Sequence, residues 1–134
     1  MPRTEATFFI VDDDPSVRKS LLRLIRSGGW HAESFASAEE FLACASFSGI
    51  GCLILDVHMP GMMGPELCKM MAVRNIALPV IFLSGHADIS ADEARNLGAV
   101  NVLDVLEKPV DAKTLIQAIR LALERHAAAK NDRH

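Results

Sequence analysis

Cysteine is scarce in this 134-residue chain, and the three present, Cys44, Cys52 and Cys68, are odd in number and show no CxxC spacing. Neither a disulfide framework nor a zinc site is indicated, and the thiols read as buried apolar residues of a reducing compartment. A basic excess is missing as well: 17 Asp and Glu against 14 Lys and Arg give a formal net charge of −3. Binding nucleic acid through bulk positive charge is excluded on that ground, so no direct nucleic-acid contact by this domain is expected. Long hydrophobic runs are also lacking. The apolar stretch in MPRTEATFFIVDDD is closed at once by aspartates, too short for a signal peptide or membrane span, and a cytoplasmic protein with no membrane contact is the expectation.

Half of the residues are apolar, and no low-complexity segment or linker interrupts them. A chain of this length buries about two-thirds of its unfolded surface and forms one domain without staples. Short apolar runs alternate with helical patterns. Phe8-Phe9-Ile10-Val11, Cys52-Leu53-Ile54-Leu55 and Pro79-Val80-Ile81-Phe82-Leu83 read as strands covered on both faces, Trp30 to Phe35 as a more exposed one, and Val100 to Leu106 as containing a fifth. Between them, Val17, Leu21, Leu24 and Ile25 fall at helical spacing and Gly28-Gly29 stops that helix. Ser37 with Glu40 forms a capping box, Pro65 suits a first helical turn, Asp92 to Leu97 is helical, and Asp111 caps a last helix striped by Leu115, Ile119, Ala122 and Leu123. The predicted fold is therefore α/β: a flavodoxin-like, doubly wound, five-stranded parallel sheet of order 2-1-3-4-5 with helices on both faces. The domain is expected over 1–126, with 127–134 a fraying tail or the start of a linker.

In such a sheet, ligands bind outside the carboxyl ends of the strands, where strand order reverses. Asp12 and Asp13 follow the first strand, Asp56 the third, Ser84 the fourth and Lys108 the fifth. Three converging carboxylates repel by about 1–4 kcal/mol per pair, and a hard divalent cation offsets that cost. Lys108 adds a point charge suited to phosphate, Ser84 a hydroxyl, and Gly85 a backbone N–H. The constellation points to phosphoryl transfer onto Asp56.

The strings IVDDDPSVR and LILDVHMPGMMG, the Ser84-Gly85-His86 step and Glu107-Lys108-Pro109 together resemble the receiver domain of two-component response regulators. From Val11 to Leu42 the likeness is to the nitrogen-fixation regulator subfamily, whose members usually carry a helix-turn-helix output domain after the receiver. The resemblance implies that Asp56 accepts phosphate from a sensor histidine kinase in a Mg²⁺-dependent reaction, with Mn²⁺ as a substitute, and that the domain is a phosphoacceptor rather than an enzyme. Asp13, Asp56 and the His58 carbonyl would bind the ion directly, and Asp12 through a water. Lys108, before a proline bond that is cis in the family, would pair with the phosphoryl group, and Ser84 would report phosphorylation. His58 and His86 would tune water access. Homodimerisation would use the face from the fourth predicted helix to the fifth. Transcriptional control would need an output domain outside this chain.

Two departures stand out. Val105 occupies the place where the family has Tyr or Phe, and the stretch from Gly98 to Lys108 is about three residues longer than usual, while that from Ser84 to Gly98 is about one shorter. A degenerate receiver acting as a constitutive protein-interaction module is the alternative. A haloacid-dehalogenase-type phosphatase ranks lower, because its second Asp, two residues after the nucleophile, is here His58.

Overall fold

The computed structural model describes residues 7–44, 51–85 and 102–131, with the side chains of the last helix described to 124. Five strands, β1 (Thr7–Val11), β2 (His31–Phe35), β3 (Gly51–Asp56), β4 (Val80–Ser84) and β5 (Val102–Glu107), form one sheet. All pairings are parallel and the order is β2-β1-β3-β4-β5, as the sequence predicts. Four helices are described: α1 (Pro15–Ser27), α2 (Ala38–Ala43), α3 (Gly64–Val73) and α4 (Ala112–Asn131), the last being the fifth predicted from sequence. The predicted helix at Asp92–Leu97 and His86 lie outside the described residues.

Alternation along the strands divides the core in two. Phe8, Ile10, Cys52, Ile54, Ile81 and Leu83 pack on one face with Leu21 and Ile25 of α1 and with Leu115 and Ile119 of α4. Phe9, Val11, Leu53, Leu55, Val80 and Phe82 pack on the other with Phe41 of α2 and with Leu67, Cys68 and Met71 of α3. The inner strands are therefore apolar on successive residues, which is why they read as continuous runs rather than alternating ones. Cys52 and Cys68 are buried and Cys44 is half-buried, so the expectation of buried thiols holds fully for two of the three.

Helix ends follow local chemistry. Asp14 caps α1 by accepting from Ser16 N at 2.9 Å, ahead of Pro15. Ser37 Oγ accepts from Glu40 N, but the Glu40 carboxylate reaches back to Ala36 N rather than to Ser37, so the capping box closes one residue early. Asp111 accepts from both Thr114 N and Thr114 Oγ1 at the start of α4, which holds its carboxyl below the usual range. Helix α4 continues to Asn131.

β5 carries an irregularity. Val80 pairs with Val102 but Ile81 with Asp104, leaving Leu103 as an extra residue. Register is regular from Asp104 onward, so Val105 sits opposite Phe82 and Glu107 opposite Ser84. Part of the added length before Lys108 is thus absorbed as a bulge, and the strand still ends level with β4.

Candidate functional site

The strand ends bring together most of the residues singled out in the sequence. One carboxylate oxygen from each of Asp12, Asp13 and Asp56 lies within 4.8 Å of the others. Asp12 and Asp56 are buried, and Asp13 is exposed at the mouth. The run Asp12-Asp13-Asp14 is divided in use: the first two face the site, and the third caps α1.

Local hydrogen bonds set the two buried acids. Asp12 Oδ1 accepts from Asp14 N at 2.9 Å, and Asp12 N donates to Phe35 O at 3.2 Å. Asp56 Oδ1 accepts from His58 N at 3.3 Å. The loop after Asp56 needs its glycines. Gly61 has φ +82, a left-handed conformation, and a Cβ on Gly64 would stand 2.7 Å from the Asp56 carbonyl oxygen and 3.1 Å from Val57 Cα. Only a glycine at the start of α3 lets that helix lie against the backbone that carries Asp56.

Lys108 closes the site from β5. Its Nζ lies 3.0 Å from Asp12 Oδ2 and 3.2 Å from Asp56 Oδ2, and its N–H donates to Ser84 O at 2.8 Å. The Lys108–Pro109 bond is cis, as the resemblance implies. Burial works against the lysine's charge, but its close contacts with Asp12 and then Asp56 outweigh burial and hold the ammonium above its ordinary pKa. Burial, with Asp12 repulsion adding to it, pushes the Asp56 carboxyl up to about 6, against the pull of the Lys108 ammonium and the His58 N–H.

Asp12 Oδ2 is buried, and among the described residues no donor meets it with hydrogen-bond geometry, although Lys108 stands within ion-pair distance. A buried carboxylate oxygen held, among the described residues, only by the Lys108 ion pair, beside two more carboxylates, belongs to a hard, all-oxygen donor set, which fits Mg²⁺ or Mn²⁺ and not a soft metal. Ser84 is buried at the end of β4, Gly85 is half-buried just beyond it, and His58 is exposed. Val105 is half-buried against the cluster that holds Phe82. Arg18, which the sequence presents only as a polar residue of an amphipathic helix, reaches the site's backbone: Nη1 donates to Asp12 O at 2.8 Å. Helical periodicity carries no signal for this contact, which depends on the reach of the side chain from the start of α1.

Comparisons with known proteins agree with this geometry. The family model described as response regulator receiver domain matches residues 8–120. Nodulation protein W of Bradyrhizobium diazoefficiens is 41% identical over 123 residues, 91% of this chain and 53% of that protein. The transcriptional regulatory protein FixJ of Rhizobium meliloti is 40% identical over 130 residues, 96% of this chain and 62% of that protein. The crystal structure of FixJ-N superposes with a TM-score of 0.79 at 37% identity, covering 91% of this chain and 96% of that one. The chain spans only about half to three-fifths of the length of those two relatives. Sequence match, strand order and the placement of the acids agree, and the chain belongs to the response regulator receiver domain family of two-component systems.

Proposed function

We propose that this receiver is a phosphoacceptor: Asp56 takes a phosphoryl group from a phosphohistidine of a sensor histidine kinase. The observation that carries the reading is the Asp12, Asp13 and Asp56 cluster with Lys108 Nζ 3.2 Å from the Asp56 carboxylate. With its pKa pushed to about 6, Asp56 is mostly ionised at neutral pH and available as nucleophile. One carboxylate oxygen attacks phosphorus in line, the P–N bond to the kinase histidine breaks, and that imidazole keeps the electron pair. Lys108 passes from pairing two carboxylates to pairing the phosphoryl oxygens, and the Ser84 hydroxyl and Gly85 N–H complete the cradle. Asp13, Asp56 and the His58 carbonyl would hold Mg²⁺, with Asp12 acting through a water. When bound, the ion would supply positive charge that offsets the carboxylates and the charge of the transferring group.

Phosphorylation adds roughly two negative charges at Asp56 and shifts an inactive-to-active equilibrium through Ser84 and the β5 face. A full switch requires about 5.5 kcal/mol of preference, and Val105, which has no ring to follow Ser84, makes the shift smaller. Leu121 is half-exposed on α4 beside Leu103 and Asp104, which suits this face to pairing with a second copy. His58 and His86 stand as candidates for tuning phosphoryl lifetime. Relatives of greater length are named transcriptional regulatory proteins, which supports transcription as the output, through a domain outside these residues. Intact-mass spectrometry after incubation with phosphoramidate and Mg²⁺ is expected to show one added phosphoryl group that Asp56→Asn lacks. Absence of the adduct in the wild-type protein favours the constitutive interaction module instead.

A further inference from the structure

The acids at the end of β1 stand on a peptide that α1 grips. Arg18 Nη1 donates to the Asp12 carbonyl oxygen over 2.8 Å, while Asp12 N is tied to Phe35 O of β2. That carbonyl belongs to the peptide joining Asp12 to Asp13. Turning it would swing Asp13 away from Asp12 and Asp56. Asp13 is exposed, and among the described residues no hydrogen bond fixes its side chain. Its aim toward the cluster therefore depends on the backbone beneath it. A guanidinium is well suited to hold such a carbonyl, since it stays charged and its planar donors lose little freedom on binding.

We propose that Arg18 is a positioning residue for divalent-cation binding, orienting the Asp12–Asp13 peptide so that the three carboxylates converge. The inference rests on the metal-site reading above. Two physical effects of Arg18 have opposite signs, which makes the proposal sharp. As a nearby positive charge, the guanidinium opposes a cation, so its removal should tighten Mg²⁺ binding. As a holder of the ligands' backbone, its removal should weaken binding, by roughly tenfold or more for such outer contacts.

Isothermal titration calorimetry with MgCl₂ at neutral pH reads the sign. Arg18→Ala is expected to bind about tenfold more weakly than wild type, and Arg18→Lys to recover part of the loss. Lys19→Ala, which removes an exposed cation one residue along the same helix, is expected to bind equally or more tightly. Melting in EDTA checks that each variant is folded at the titration temperature. Should Arg18→Ala not fold, Arg18→Gln carries the same sign test, because it loses the charge and most of the reach. Unchanged or tighter binding in the folded Arg18 variant overturns the proposal, as does an equal loss in Lys19→Ala. If wild type binds Mg²⁺ no better than Asp13→Asn, the metal site itself is wrong and the role of Arg18 falls with it.

Discussion

Asp56 carries a charge in a place that disfavours it, and this has a measurable sign. Its pKa rises from 3.8 unfolded to about 6 folded, through burial and then Asp12. The folded state therefore holds a proton that the unfolded state has released between about pH 4 and pH 6, and stability falls as pH rises through that window. Asp56→Asn removes the charge, so in EDTA it is expected to stabilise the protein at pH 7 by roughly 1–3 kcal/mol and hardly at all at pH 4. Urea unfolding at both pH values decides this, and a loss of stability at pH 7 would contradict the account of the acid pocket. The cysteines make a second prediction at this scale. Burial pushes the Cys52 and Cys68 thiols up to about 12, whereas Cys44 is half-buried at the end of α2. Thiolate is the reactive form, so Ellman's reagent is expected to titrate one thiol in the native protein and three in denaturant.

Gly64 shows how an element depends on one missing atom. A Cβ there meets the backbone of Asp56 and Val57, so Gly64→Ala must push α3 off β3. The expected cost is about 1–3 kcal/mol in urea unfolding, with slower phosphorylation because the displaced backbone carries the proposed nucleophile, Asp56. A variant as stable and as reactive as wild type would show that the loop gives way freely. The elements themselves were legible in the sequence for a physical reason. Strands covered on both faces must be apolar throughout, and helices lying on the sheet must carry a stripe, so Phe8 to Val11 and Val17 to Ile25 announce themselves. The convergence of Asp12, Asp13, Asp56 and Lys108 followed from strand order, because strand ends are where this topology places chemistry. The bulge at Leu103 and the Arg18 contact were not legible. Both depend on register and side-chain reach, which periodicity does not encode. The extra residues before Lys108 signalled a disturbance, but only pairing with β4 shows that the bulge restores register from Asp104 on.

Across the whole molecule, the acid cluster places part of a modest net charge of −3 in one partly buried spot, so binding of the proposed ion would be coupled to folding. An ion that binds only the folded chain stabilises it by mass action, about 1.4 kcal/mol at ten times its Kd, or roughly 4–7 °C in Tm for a domain of this size. If Asp56 is a ligand as proposed, the coupling must depend on pH, because Mg²⁺ would compete with the proton on Asp56. With that carboxyl titrating near 6, lowering the pH to 5 weakens the ion's apparent affinity by about tenfold. At the same Mg²⁺ concentration, the stabilisation then falls to about 0.4 kcal/mol. Melting curves with Mg²⁺ and with EDTA at pH 7 and pH 5 should therefore show a gap that narrows on acidification. Asp56→Asn should show a small gap at both values, since it has lost both the ligand and the competing proton. An equal gap at pH 7 and pH 5 in the wild-type protein would mean that the ion binds elsewhere, away from the carboxylate proposed to receive the phosphoryl group.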